Sequence, residues 1–367
     1  MRLAVDGSAL GSGRGGDETY LRALVRGLAE TAGEVPEREV TVYTRPGAAL
    51  ANDHGEMTWR ELQVASSARL AGPLSWQWRQ DAHDVHLAYT HVPVGAPART
   101  ALVVTDLSFR HVPDMFPRSA RIRLNGLVPT QARRAPAVLT LTEFCRRDLI
   151  ETLGVKPERV HVVPCSIDPV SDLPSDIEDQ TAASLAKRGV DGAFVLYLGN
   201  LHPRKNVPHL IRSFAATKAC QAGDAKLVIA GGTWWKGSGE FEAMSSCPVG
   251  SVVRLGKVTD TEREVLLRSA TVLAYPSLFE GFGLPPLEAM ARGTAVVASD
   301  RTSIPEVVGD AGLLIDPTNK AMLVASLDTV LSDAALRSEL EERGRKRSER
   351  YSAAETGRQA GAALASV

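Results

Sequence analysis

The stretch Tyr275–Gly293, YPSLFEGFGLPPLEAMARG, decides how the rest of the chain is read. An apolar run at 271–274 precedes it and another at 295–298 follows. This pattern predicts strand, glycine turn, helix and next strand of a parallel sheet, with the turn at a strand's carboxyl end. Gly281 and Gly283 let the backbone turn sharply and approach a ligand, and Pro285 and Pro286 suit a first helical turn. Orphan N–H groups and the positive end of a helix dipole, reached through Gly281, Phe282, Gly283 and Leu284, favour an anion such as phosphate. Glu280 and Glu288 flank that place, and carboxylates accept hydrogen bonds from sugar hydroxyls. A sugar nucleotide carries both chemistries. The plainer alternative is a pair of carboxylates that complement the dipole, which would not need the glycines.

Two glutamates eight positions apart around GFGLPPLEAMA resemble the signature of the retaining glycosyltransferases of the GT-B fold, specifically the large family 4. The resemblance implies an α/β protein of two Rossmann-like domains facing a central cleft. It puts Glu280 on the donor hexose and Glu288 on the ribose hydroxyls. Working back from this stretch, the apolar run 194–198 is followed by GNLHPRKN and a helical pattern over 207–216. A glycine turn at Gly199 thus presents Arg204 and Lys205 at a sheet edge, where two cations would neutralise a departing diphosphate. The motif is similar to the family's source of this arginine and lysine, and P-R-K-N resembles the mannosyltransferase-B-like subset. A solvated basic turn is the alternative. GKVTD at 256–260 matches the place where relatives hold the nucleobase through backbone groups, here near Val258 and Thr259. Trp234 and Trp235 either border the acceptor cleft or pack in a core or interface.

The first half opens with a strand pattern at 2–5 and a helical pattern at 17–30. Between them Gly11, Gly13 and Gly16 spell a dinucleotide fingerprint. An NAD site would need an acidic residue after the second strand, but 40–43 is followed by Thr44, Arg45 and Pro46. The resemblance instead implies a glycine loop facing donor phosphates and acceptor, with Gly15 and Gly16 as candidates; a simple connector stays open. DVHLAYTH at 84–91 alternates as a half-buried strand would. Asp106 follows the strand pattern 101–105 and either orients an acceptor hydroxyl or caps the next turn. Relatives usually carry histidine where this chain has Thr105. Arg118, Arg121, Arg123, Arg133 and Arg134 make a basic stretch that is either a solvated face or a contact with a membrane or lipid-linked acceptor. Residues 169–191 read as an interdomain linker. The expected division is 1–170 for an N-terminal acceptor domain, 190–349 for a C-terminal sugar-nucleotide domain, and 350–367 for a helix crossing back to the first.

At 367 residues the chain has room for two cores. Its 42 basic and 43 acidic residues give no global field for nucleic acid. Four cysteines without a C-x-x-C pair suit reduced thiols, and no run of about 18 apolar residues suggests a membrane span. A cytoplasmic enzyme is expected, with peripheral membrane contact left open and oligomeric state unread. No Asp-x-Asp metal motif occurs; the cluster Asp81, His83, Asp84 and His86 is a weak ligand set, and no G-x-S-x-G elbow supports a hydrolase. The reading is a metal-independent, retaining glycosyltransferase without a cofactor. It moves a hexose or deoxyhexose from a nucleoside-diphosphate sugar to a saccharide, glycolipid or natural-product hydroxyl. A sugar-nucleotide epimerase on the same fold, or a non-catalytic nucleotide-sugar-binding subunit, is the alternative.

Overall fold

The computed structural model describes residues 1–13, 15–34, 38–48, 57–63, 68–168, 170, 173–232, 239–245 and 247–367. Trp234 and Trp235 lie outside the described residues. The chain divides into two compact units, one of Met1–Ile167 with Tyr351–Val367 and one of Asp168–Arg350.

In the first unit, seven strands are found among the described residues: β1 (Arg2–Asp6), β2 (Glu39–Thr44), β3 (Thr58–Glu61), β4 (Val85–Tyr89), β5 (Thr100–Val103), β6 (Val138–Thr140) and β7 (Val160–Val162). They lie in the order β3-β2-β1-β4-β5-β6-β7, all pairs parallel. β4 is buried along its whole length, so the alternation read in 84–91 does not mark a solvent face. His86 accounts for the polar position, since its ring packs against Trp78 at 5.0 Å between centroids. The terminal helix Ala353–Ala365 packs on the helix Gly16–Glu30 through glycines on both sides. A Cβ on Gly357 would lie 1.9 Å from the Gly27 carbonyl oxygen, so only glycine permits this crossing. Thr356 adds a hydrogen bond of 2.9 Å to the Pro164 carbonyl.

The second unit holds β8 (Ala193–Leu198), β9 (Ala225–Ala230), β10 (Val252–Gly256), β11 (Val272–Tyr275), β12 (Ala295–Ser299) and β13 (Leu313–Ile315) in the order β10-β9-β8-β11-β12-β13. Each pair is parallel. The central strands are buried on both faces, which is why they read as continuous apolar runs. Strand order reverses between β8 and β11. Loops leaving the carboxyl ends of two such neighbours run apart and open a crevice, the usual ligand place of an open α/β sheet.

The stretch read as a linker contains a helix, Ser175–Lys187. Leu185 is the one residue it buries, so no apolar stripe betrayed it. Asp333 separates the helices Lys320–Ser332 and Ala334–Ser348, and its carboxylate caps the second by accepting from the Leu336 N–H.

Candidate active site

Both loops at the reversal carry the sequence-predicted residues. After β8, Gly199 takes φ +140°, and its carbonyl lies where a Cβ on Gly231 would fall at 1.9 Å. The chain then forms a short turn over Pro203–Lys205 before the helix Val207–Phe214. After β11, residues 276–283 lead into the helix Leu284–Ala291, with Gly283 at φ +122° at its cap position. Backbone joins the loops, because the Leu278 N–H donates to the Arg204 carbonyl at 2.7 Å.

Arg204, Lys205 and Glu280 meet in one cluster, the carboxylate buried and the two cations partly so. Arg204 Nη1 lies 2.9 Å from Glu280 Oε2 and donates to the Phe279 carbonyl at 2.7 Å, while Lys205 Nζ lies 2.5 Å from Glu280 Oε1. Ser277 Oγ donates to the same Oε1 at 2.5 Å, and the Tyr275 hydroxyl touches both Lys205 and Glu280. Burial alone would push the Glu280 carboxyl up, but the two cations and the Ser277 hydroxyl overcome it and hold the pKa down to about 2. Glu280 is therefore a permanent anion at neutral pH, unsuited to donating a proton. Tyr275 also stacks on Tyr197 at 6.2 Å, and Lys205 Nζ sits 4.9 Å from the Tyr275 ring centre. Sequence reasoning quoted Tyr275 and Ser277 only as part of the stretch; their signal was their place at a strand's carboxyl end.

Glu288 lies one helical turn into Leu284–Ala291 and is 6% exposed. It is paired with Arg263, which the sequence reading missed because a cation in a helix reads as solvated. Burial pushes the Glu288 carboxyl above its ordinary value, and Arg263 and Arg292 only partly offset it. Burial would lower the Arg263 pKa, but Glu288 and Asp168 outweigh it and hold the guanidinium charged. Below the pair, Glu264 is bound by Arg268 and Arg292 at 2.9 and 2.7 Å, which fixes the helix Asp260–Ser269 against the Glu288 helix.

Pro285 and Pro286 occupy the first turn of the helix Leu284–Ala291, where their missing N–H groups leave no intrahelical bond unmade. Thr259 begins the helix Asp260–Ser269 with a capping box: its N–H donates to Glu262 Oε2 at 2.8 Å and its hydroxyl accepts the Glu262 N–H. Its carbonyl receives the Arg263 N–H.

In the first unit, Gly15 (φ +57°) is the cap position before the helix Gly16–Glu30, and its carbonyl accepts from the Thr19 N–H. The Gly11 and Gly13 N–H groups are taken by the Glu18 carboxylate at 2.9 and 2.8 Å. A dinucleotide fingerprint uses such amides for pyrophosphate, and here an internal carboxylate occupies them. Asp106 accepts the Ser108 N–H at 2.8 Å from one residue before Leu107, the cap position of the helix Ser108–His111, which has no side-chain cap bond. Asp81 is bound by Tyr43, Arg60 and Gln77, and Asp84 accepts the Arg2 N–H, so these carboxylates are committed within the protein. No group of three or more metal-binding side chains occurs among the described residues.

Two family models match the chain: Glycosyltransferase Family 4 over residues 14–170 and Glycosyl transferases group 1 over residues 182–347. The chain is 29% identical over 312 residues to the O-antigen chain mannosyltransferase B of Escherichia coli, covering 82% of this chain and 81% of that one. It is 32% identical over 235 residues to the MMP alpha-(1->4)-mannosyltransferase of Mycolicibacterium hassiacum, covering 61% of this chain and about half of that one, 53%. Among solved structures, sucrose-phosphate synthase from Thermosynechococcus elongatus matches with a TM-score of 0.77 over 99% of this chain and 98% of that one at 18% identity. WaaG, a glycosyltransferase involved in lipopolysaccharide biosynthesis, matches with a TM-score of 0.74 over 98% of both chains, also at 18% identity. At such identities the structural likeness shows the fold. With two family models spanning both units and named glycosyltransferases among the relatives, the chain belongs to the retaining family-4 glycosyltransferases of the GT-B fold.

Proposed function

We propose that the second unit holds a nucleoside-diphosphate hexose or deoxyhexose and that the sugar passes, with retention, to a hydroxyl of a saccharide, glycolipid or natural-product acceptor held by the first. The observation that carries this reading is the buried meeting of Arg204, Lys205 and Glu280 at the strand-order reversal. Two cations there balance the charge that develops on a departing diphosphate. Glu280, anionic at neutral pH, faces the hexose carbon as it gains oxocarbenium character, and the acceptor attacks from the side the nucleotide leaves. Glu288 accepts from the ribose hydroxyls, Val258 meets the base through its backbone, and Gly199 with Gly281–Leu284 line the diphosphate. For Gly15 and Gly16 as donor-phosphate contacts and Asp106 as an acceptor contact, the family resemblance alone supports the assignment. Mannose is the first hexose to test, since several relatives are named mannosyltransferases.

A panel of nucleoside-diphosphate sugars, followed for free nucleotide with and without saccharide acceptor, tests the reading. Release that depends on acceptor, with an α-linked product from an α-linked donor, supports it; conversion of donor without acceptor makes the chain an epimerase instead. Because the cations are built into the protein, saturating EDTA leaves the rate within about twofold. Loss of activity in EDTA that magnesium or manganese restores would refute metal independence.

No helix among the described residues is long and apolar enough to cross a membrane. The helix Arg118–Arg134 nevertheless exposes Ile122 and Leu127 beside its arginines, which fits peripheral contact with anionic lipid. Vesicle flotation of wild type and Ile122→Ser checks this: equal recovery of both from anionic vesicles removes the contact.

A further inference from the structure

Thr302 has a backbone conformation, φ +59°, that a β-branched residue rarely adopts. It sits in the loop after β12, and glycine would suit the position better. Its hydroxyl accepts the Glu280 N–H at 3.1 Å and donates to the Arg301 carbonyl at 2.7 Å. The next residue, Ser303, is fully buried at the cap position of the helix Ile304–Val308, yet makes no side-chain cap bond to that helix. Serine at a cap ordinarily accepts from the first-turn amides. Here the Ser303 hydroxyl turns back and shares its one proton between the carbonyls of Glu280 at 2.9 Å and Phe282 at 2.8 Å. Consecutive hydroxyls thus hold the N–H and the carbonyl of Glu280, while side chains from the opposite loop hold its carboxylate.

Strain in a loop persists where the surroundings demand it, and such residues gather at functional sites. Nothing in the local backbone requires threonine at 302; the bond its hydroxyl makes to Glu280 does. We propose that Thr302 and Ser303 are positioning residues that fix the peptide of Glu280, and with it the angle at which its carboxylate meets the donor sugar. This rests on the donor-site reading above and extends it to a loop that touches no reacting atom.

The substitution Thr302→Gly separates hydroxyl from backbone, because glycine accepts the positive φ without strain. The expected result is a kcat lowered on the order of tenfold, since a small misplacement near the chemistry is costly. KM and the affinity for free nucleoside diphosphate stay within twofold, and Tm is unchanged or higher. Thr302→Ser, which keeps the hydroxyl, restores kcat. A kcat for Thr302→Gly within twofold of wild type, or an equal loss in Thr302→Ser, overturns the proposal. Should Thr302→Gly not accumulate as folded protein, Ser303→Ala carries the same test through the same split of kcat from KM. Glu280→Gln, run in parallel, tells the two claims apart. If it abolishes turnover while Thr302→Gly keeps kcat within about twofold of wild type, the positioning role fails and the donor site stands; if it leaves turnover intact, the donor-site reading itself falls.

Discussion

Glu280 and Glu288 stand eight positions apart, both almost wholly buried, and the structure pushes their carboxyls in opposite directions. Glu280 has Arg204, Lys205 and Ser277 on its two oxygens, enough to overcome the cost of burial. Glu288 has Arg263 on its side chain, and burial prevails. The motif spacing shows only two carboxylates. Their surroundings hold one carboxyl down and push the other up, and the proposed site puts the first where charge changes during reaction and the second beside a part of the donor that does not react. Interactions that strengthen during reaction govern turnover, while those equal in ground and transition state govern binding.

The largest expected effect follows from removing the fixed anion. Glu280→Ala should lower kcat by about 1,000-fold, the upper range for losing one electrostatic partner of a transition state. It also leaves the partly buried Arg204 and Lys205 without their carboxylate, so the variant should lose about 1–3 kcal/mol of stability. Steady-state kinetics and a urea titration check both, and a kcat within tenfold of wild type would erase the contrast between the two glutamates. Lys205→Ala should cost about 100-fold in kcat, with Glu280 still held by Arg204. Near-normal turnover in that variant would mean the lysine only neutralises Glu280.

Acid sharpens the comparison by a smaller amount. Glu280 is depressed below its unfolded value, so its contribution to stability is fully present above about pH 4.3 and fades as pH falls through about 2. Glu288 is raised, so the sign reverses: protonation relieves the cost of burying its charge, and its contribution to stability grows as pH falls through its folded pKa. Nucleotide affinity should therefore weaken on acidification before the ordinary carboxylate range is reached. The terminal phosphate of the nucleotide also titrates, near pH 6, so the quantity to follow is the difference between wild type and Glu288→Gln. Parallel pH profiles for the two proteins would contradict the assignment.

Much of this was legible in the sequence for a physical reason. Strands buried on both faces leave uninterrupted apolar runs, so β8, β11 and β12 could be read directly, together with the glycine turns after β8 and β11 and with Glu280 and Glu288. Contacts set by topology could not. Lys205 and Glu280 are 75 residues apart and meet because β8 and β11 are neighbours, a fact of strand order that no local pattern encodes. Arg263 was missed because its burial comes from the facing helix, and Thr302 because a positive φ at threonine leaves no mark in composition. The helix Ser175–Lys187 escaped because it exposes almost all of its surface. Asp106, read as either a cap or an acceptor contact, bonds the Ser108 N–H from one residue before the cap position at Leu107.

The division of labour between the glutamates is tested most directly by calorimetric titration of nucleoside diphosphate into Glu280→Ala and Glu288→Ala. Glu280→Ala should bind the nucleotide at least as well as wild type, because Arg204 and Lys205 are released from their carboxylate and remain available to the diphosphate. Glu288→Ala should bind it more weakly by about 1–3 kcal/mol, the cost of a lost charged hydrogen bond. If Glu280→Ala binds the nucleotide far worse than Glu288→Ala, the two carboxylates have been assigned to the wrong halves of the donor.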